Sequence, residues 1–380
     1  MPCGPRSPRC PRAGPSPRTR TAERPASRSS TSTGPTCARR ASARPWRPTT
    51  PDARPLEASS SGAEQRGKEP GTLTALTKFA EKDLELLLLI RNFEIALLDL
   101  FDAGKLNGTT HTCLGQEYVP VALAPLLRED FVFSNHRGHG HYLARFEDPS
   151  GLLAEIMGRE GAVCSGVGGS QHIYREGYLS TGVQGQSLPI AVGVALHYLR
   201  TGQNRIAVVH IGDGTWGEGA VYEALNMAGL WSVPLLVVVE DNGIAQSTPT
   251  GAQLAGTIAD RAASFGIDHH ELHTADVNVI RAELAPVVAD VRRGAPAVVR
   301  FPTVRLGPHS KGDDTRSAEE LADLRAGEWS ARYARGFPEQ YAAADARQRK
   351  LVAGLVADVS ARPPSVWAAA PAEVGSGAAR

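Results

Sequence analysis

Three short runs of largely branched aliphatic residues, 206–211, 234–239 and 297–304, recur through the second half of this 380-residue chain. Each is too short for an ordinary helix, and each is apolar at successive positions rather than at alternate ones. A strand of that kind must be covered on both sides, which is the situation of a parallel strand inside a layered α/β structure. Residues 217–230 read as a helix between the first two runs. The expected fold class is therefore α/β, a parallel sheet with helices on both faces.

Other elements can be placed around these runs. Residues 81–104 carry apolar groups at helical spacing through Leu88, Phe93, Leu97 and Leu100, with Gly104 near the end. A helix is expected over 116–127, then a short strand from Phe131 to Phe133 and a polar loop over 134–141. A glycine-rich stretch covers 161–186, and residues 189–201 look helical. Between the runs at 234–239 and 297–304 the pattern is read as a loop, with His269, His270 and His273 on the surface. After Val304 a loop runs through 307–314, and Ser317 with Glu320 forms a capping box that opens a polar helical segment to about 360. No internal repeat is visible.

Charge and composition set the boundaries. Residues 1–70 hold 14 Lys and Arg against 5 Asp and Glu, a net of +9, whereas the whole chain is +1, so the remainder carries −8. That first segment is rich in Pro, Arg, Ser and Thr, too poor in large apolar groups to offset ordering entropy, and is expected to be a disordered tail. An organellar transit peptide is the rival reading, opposed by the frequent prolines, and an over-long start near Thr72 is another. Residues 71–365 form the expected domain, and 366–380 a loose tail. The acidic body carries no basic footprint for nucleic acid. No apolar run approaches the ~18 residues that span a bilayer. Five cysteines, none in a C-x-x-C pair, suit a reducing cytoplasm.

The chemistry is expected where two of the runs end. Gly212-Asp213-Gly214 closes the first, and Asn242, 29 positions after Asp213, follows the second. Oxygen ligands at two strand ends can hold one hard cation, and Mg²⁺ commonly joins protein carboxylates to phosphates. Residues 212–217 also spell G-x-G-x-x-G, with Glu240 at the end of the next strand, which is the pattern of an NAD-dependent oxidoreductase. Charge opposes that alternative. An Asp inside the turn would face the pyrophosphate, and two unit charges 4 Å apart repel by about 4 kcal/mol at an effective dielectric near 20. A divalent cation between them removes the conflict. The bland reading of both motifs is a pair of ordinary turns.

Gly-Asp-Gly followed after nearly thirty residues by Asn resembles the thiamine diphosphate motif. More narrowly, residues about 80–330 resemble the alpha subunit of the decarboxylating component of 2-oxo acid dehydrogenases, the family of pyruvate, branched-chain and acetoin dehydrogenases. The likeness runs in order through His111 with Gly115-Gln116-Glu117, then His136-Arg137-Gly138-His139-Gly140. It continues through Gly168–His172, Gly182–Gly185, Gly212–Gly214, Glu223–Ala228 with Leu230 and Trp231, Glu240–Asn242, and His309-Ser310 with Asp313-Asp314.

The resemblance implies a thiamine-diphosphate-binding fold, with thiamine diphosphate and Mg²⁺ as cofactors. It implies Asp213, Asn242 and the Ile244 carbonyl as metal ligands. His136, Arg137, Gly182, Gln184, Gly214, Thr215 and His309 become cofactor contacts, with Arg137 at the diphosphate. His111, His139 and His309 become active-site groups, His309 on a loop that orders when cofactor binds. The Glu that activates such a cofactor is not matched here. The resemblance places it on a beta subunit, so the chain is expected to be inactive alone and to work in an α₂β₂ assembly. The acceptor would be a lipoyl acyltransferase or an acyl-carrier protein.

Some positions depart from the family. Asp241-Asn242 stands for Asn-Asn, Ile244 for an aromatic residue, and His136-Arg137 for Tyr-Arg, closer to the acetoin type. The stretch after Asp314 lacks the longer phospho-loop. A second reading keeps the cofactor but transfers a two-carbon ketol (glycolyl) unit from a sugar phosphate to a carrier protein. His136, Gln184 and Gln246 supply polarity suited to a hydroxylated donor. A non-catalytic partner that only binds the cofactor is a third class.

Simpler roles are also open. Zinc at His136, His139 and His141 is opposed by the Arg137 charge among them. His172 could be a hydrogen-bonded buried histidine. Leu230 and Trp231 read as core, and Cys113 and Cys164 as packing residues.

Overall fold

The computed structural model describes residues 75–106, 108–310 and 314–367. The expected tail over 1–70 and all but two residues of 366–380 lie outside them, as does Asp313. The helices are α1 (Glu81–Asp102), α2 (Tyr118–Leu123), α3 (His139–Phe146), α4 (Pro149–Met157), α5 (Ser187–Arg200) and α6 (Gly219–Trp231). They continue as α7 (Ile258–Ala263), α8 (Val277–Arg292), α9 (Ala318–Gly327), α10 (Trp329–Gly336) and α11 (Pro338–Ala361). The strands are β1 (Phe131–Ser134), β2 (Tyr174–Arg175), β3 (Tyr178–Ser180), β4 (Ala207–Gly212) and β5 (Leu235–Asp241). They continue as β6 (Ile244–Ala245), β7 (Thr248–Pro249), β8 (Asp268–Glu271) and β9 (Ala297–Pro302).

Seven strands form one sheet in the order β2-β3-β1-β4-β5-β9-β8, and β6 and β7 form a separate ribbon. All neighbours in the large sheet are parallel except β2 and β3. The two-sided apolar runs explain the layering. Val208, Leu236, Val238 and Val299 enter one core with α1, α2, α3, α4 and α8. Their neighbours Ala207, Val209, Val237, Val239 and Val298 enter a second core with α5, α6 and α7. Each buried Val or Leu contributes on the order of 1.5–3 kcal/mol by leaving water. Among the described residues no helix is long and apolar enough to cross a membrane.

Several elements differ from the sequence reading. Pro125 has no N–H to continue an α-helix, so the segment expected over 116–127 becomes α2 and a 3₁₀ turn, Ala124–Leu126. The loop expected between β5 and β9 contains α7, β8 and α8. An interior proline, Pro286, obscured α8. β8 is a polar edge strand without apolar alternation, so His269 and His270 belong to the sheet rather than to a surface loop. Two short strands, β2 and β3, lie inside the glycine-rich stretch. Leu230 and Trp231 are not core: they end α6 with 73% and 41% of their surface exposed.

One ion pair ties the base of the sheet together. Arg292, at the end of α8, donates through Nη1 to Asp130 Oδ1 (2.7 Å) and through Nη2 to its Oδ2. The N–H groups of Arg128 and Ile206 each reach the same carboxylate at 2.9 Å. Burial opposes the Asp130 charge, but Arg292 and these N–H groups outweigh it and hold the carboxyl below its ordinary value. Asp130→Asn is expected to cost about 3 kcal/mol at pH 7, since it strands a largely buried guanidinium. A depressed carboxyl stabilises above its unfolded pKa and loses that contribution as pH falls through the folded value. Urea melts at pH 7 and pH 3 check this: the gap between wild type and variant should shrink at the lower pH.

Candidate active site

Strand order creates a crevice. From β1 the chain goes on to β3 on one side, and from β4 to β5 on the other, so the loops leaving β1 and β4 diverge. Ligands of open parallel sheets bind at the carboxyl ends of strands where connections part in this way. The register places Gly212 opposite Glu240 and Asp241 opposite Pro302, which levels the ends of β4, β5 and β9. Loops from β1, β3, β4, β5 and β9 meet there around a cavity of about 390 Å³. That volume lies within the ~300–1,000 Å³ of small-molecule sites.

Asp213, Asn242 and Ile244 all line this cavity. Asp213 is buried, and Thr250 Oγ1 donates to its Oδ2. Burial pushes the Asp213 carboxyl above its ordinary value, the Asp241 charge adding to that and the Thr250 hydrogen bond opposing it. A cation would reverse the pressure. Gly243 takes a positive φ of 74°, which turns the chain between Asn242 and Ile244. A Cβ on Gly214 would lie 2.5 Å from Ala245 Cβ, with no flexible side chain to give way. Gly214→Ala is therefore expected to displace the β6 segment and weaken cofactor binding at least tenfold, with little change in melting temperature. Calorimetric titration of the variant checks this.

The opposite charge is also present. Arg137 and Arg305 are both buried and both line the cavity. Arg137 Nη1 donates to the Thr112 carbonyl, and burial together with the Arg305 charge pushes its pKa down to about 10. Arg305 donates from Nε to the Gly307 carbonyl (3.1 Å) and from Nη1 to that of Gln246 (2.9 Å). Two neighbouring buried guanidiniums are best compensated by an anion with several oxygens. Sequence reasoning missed Arg305. Its signal was a cation three residues past the end of β9, at the same sheet edge as Asp213.

Three imidazoles form one wall. The His111 ring lies 4.7 Å from that of His136 and 4.6 Å from that of His309, and His136 lies 5.3 Å from His309. Gln184 Nε2 donates to His136 Nδ1 at 2.8 Å, while its Oε1 accepts from Thr215 Oγ1 at 2.8 Å. In this arrangement Nε2 of His136 carries the ring proton. Burial, and then the Arg137 charge, hold the His136 pKa well below its ordinary value, so the ring is a neutral donor.

His139 is the predicted residue that does not line the cavity. Its Nδ1 meets Glu94 at 3.1 Å and its Nε2 meets Ser170 Oγ at 2.7 Å, all buried. It fixes the glycine-rich segment from behind rather than facing the channel. His136, His139 and His141 thus point into three different environments and do not share a metal. His172 is exposed rather than buried. Cys113 is buried against Glu94, and Cys164 is half-buried.

The remaining predicted groups, Gly182, Gln184, Gly214 and Thr215, line the cavity beside Gln116, Asn135, Gln171 and Gln246. The glycine pattern at 212–217 does not open a helix directly: a 3₁₀ turn over Asp213–Gly217 precedes α6. That separates it from a dinucleotide turn, where the phosphate sits on the helix N-terminus.

A family model described as the dehydrogenase E1 component matches residues 85–360. The alpha subunit of the pyruvate dehydrogenase E1 component of Rhizobium meliloti is 34% identical over 266 residues, covering 67% of this chain and 76% of that one. The alpha subunit of acetoin:2,6-dichlorophenolindophenol oxidoreductase of Cupriavidus necator is 35% identical over 245 residues, covering 62% of this chain and 74% of that one. A solved structure of a Pichia stipitis transketolase mutant with xylulose 5-phosphate is similar at a TM-score of 0.46 and 18% identity. The similarity covers 74% of this chain and 46% of that one, so the chain spans under half of its length.

Proposed function

Since the chain belongs to the dehydrogenase E1 component family, we propose that it is the alpha subunit of a 2-oxo acid or acetoin dehydrogenase that uses thiamine diphosphate and Mg²⁺. The observation that carries this is one cavity holding an oxygen donor set, Asp213, Asn242 and Ile244, together with two buried guanidiniums, Arg137 and Arg305. The donor set suits a hard divalent cation and the guanidiniums suit a diphosphate. When bound, thiamine diphosphate supplies the nucleophilic carbon and the electron sink for cleavage beside a carbonyl. The chain's own residues do the rest. Asp213 and Asn242 hold the cation, Arg137 and Arg305 balance the phosphates, and Gly214 keeps the turn close to them. His136 presents a neutral N–H to a substrate oxygen, with Gln184 and Thr215 holding its tautomer.

A beta-type subunit completes the site in this proposal. Val183 is 57% exposed between the cavity residues Gly182 and Gln184, and Val167, Ile190, Leu230 and Trp231 are also exposed. Such apolar groups suit a covering partner. The acyl acceptor is a lipoyl acyltransferase or an acyl-carrier protein, and the location is cytoplasmic.

The test is calorimetric titration of thiamine diphosphate with and without Mg²⁺, with NAD as the control ligand. A screen of pyruvate, branched 2-oxo acids and acetoin with the co-expressed partner should follow. Binding of NAD without Mg²⁺-dependent thiamine diphosphate binding would sink the proposal. Ketol transfer is the second reading, favoured by the amides of Gln116, Asn135, Gln171 and Gln246 in the cavity wall. Turnover of a sugar phosphate, with none of 2-oxo acids, would select it.

A further inference from the structure

Outside the ring of residues assigned to the cofactor lies a second cluster that this function leaves without a task. His141 on α3, His210 on β4 and Glu240 on β5 are all buried, and one ligand atom from each lies within 4.8 Å of the others. Glu240 also lines the cofactor cavity, so the cluster sits directly against it. His141 Nδ1 is 2.7 Å from Ser134 Oγ, and its Nε2 is 3.1 Å from both carboxylate oxygens of Glu240. The His210 ring stacks on that of His141 at 3.8 Å, with 27° between the planes. His210 Nδ1 is buried without a hydrogen-bond partner.

Ordinary packing accounts for the His141–Glu240 contact but not for His210. A phenylalanine or leucine would fill the same apolar place without stranding a ring nitrogen, which is costly in a core. Metal coordination would give all three residues a task once the His210 ring turns out of its stack on His141, which aims the two in-plane lone pairs side by side. A metal-ligating histidine usually anchors its other ring nitrogen on an oxygen, as Ser134 does here.

We propose that His141, His210 and Glu240 form a structural site for one zinc-class divalent cation beside the cofactor cavity. Two imidazoles and one carboxylate select a borderline metal over Mg²⁺, so this site and the all-oxygen set at Asp213 do not compete. The cation would pin α3, β4 and β5 together. Asp213 follows His210 by three residues and Asn242 follows Glu240 by two, so the metal would act as a positioning element for the ligands of the cofactor site. The inference stands on its own geometry whether or not the proposed activity is correct.

The test uses the purified full-length chain, loaded with Zn²⁺ in excess Mg²⁺, dialysed, and measured by inductively coupled plasma mass spectrometry. One zinc per chain is expected for wild type and none for His210→Leu, with both showing the same circular dichroism spectrum. If the leucine variant misfolds, Co²⁺ substitution of wild type decides: intense visible bands of a four-coordinate site, displaced by Zn²⁺, support the site. Their absence overturns it. Failure of wild type to retain zinc overturns it as well. So does zinc that leaves with His309→Ala but not with His210→Leu, because that ion belongs to the imidazole wall of the cavity.

Discussion

Asp213→Ala is expected to weaken Mg²⁺-dependent binding of thiamine diphosphate by about a thousandfold and to remove turnover with it. The size follows from charge. A carboxylate and a cation about 4 Å apart attract by about 4 kcal/mol at an effective dielectric near 20, and each 1.4 kcal/mol is about tenfold in affinity. The variant leaves the Arg137 and Arg305 charges in place, so residual Mg²⁺-independent binding should persist at high cofactor concentration. Stability separates this loss from misfolding. Burial opposes the Asp213 charge in the absence of a cation, so the variant without ligand should melt no lower than wild type. Wild type should gain melting temperature with cofactor and Mg²⁺ at concentrations that saturate it, and the variant should gain none until the cofactor is raised about a thousandfold. An unchanged calorimetric affinity in Asp213→Ala would remove the metal assignment.

Why Asp213 was legible before any fold was known, and Arg305 was not, is a matter of range. The runs leading to Asp213 and Asn242 are local patterns, and their ends name the sheet edge at which ligands collect. Their register, Gly212 opposite Glu240, is the long-range fact that makes two sequence-distant groups neighbours. Arg305 has no local pattern of its own. Only the pairing of β9 with β5 brings it to the same edge. His139 shows the converse. Two positions from Arg137, it shares the local motif, but as the first residue of α3 it points away toward Glu94 and Ser170. Leu230 and Trp231 were misread for a related reason. Apolar composition near the end of a helix says nothing about which copy or partner covers it. The polar edge strand β8 and the proline-bearing α8 were invisible because each departs from the apolar period that identifies its class.

The purified chain alone is expected to bind thiamine diphosphate and Mg²⁺ but to turn over no 2-oxo acid, and co-expression with a beta-type subunit should restore activity from background. The argument is an inventory of carboxyl groups. Protonating the pyrimidine ring of the cofactor needs a carboxyl group at the far end from the diphosphate, free of other duties. Among the described residues, Asp213, Glu218 and Glu240 are the carboxylates lining the cavity. Asp213 is assigned to the cation. Glu240 faces His141 with both oxygens at 3.1 Å. Glu218 follows the turn at Asp213–Gly217, lies against Gly185 and is exposed at the rim. Among the described residues no buried carboxylate of the cavity is left without such a duty, and in the proposed function the acid comes from a beta-type subunit. The exposed Val183, flanked by cavity residues, marks where that boundary would close. Val183→Asp should leave cofactor binding by the isolated chain within about twofold, since its side chain faces away from the cavity, yet abolish assembly and activity by placing a charge in an apolar contact. Size-exclusion chromatography of the co-expressed pair, read beside turnover, gives the answer. Full turnover by the isolated chain would place the activating acid within this chain, and an active assembly of Val183→Asp with its partner would remove Val183 from the boundary.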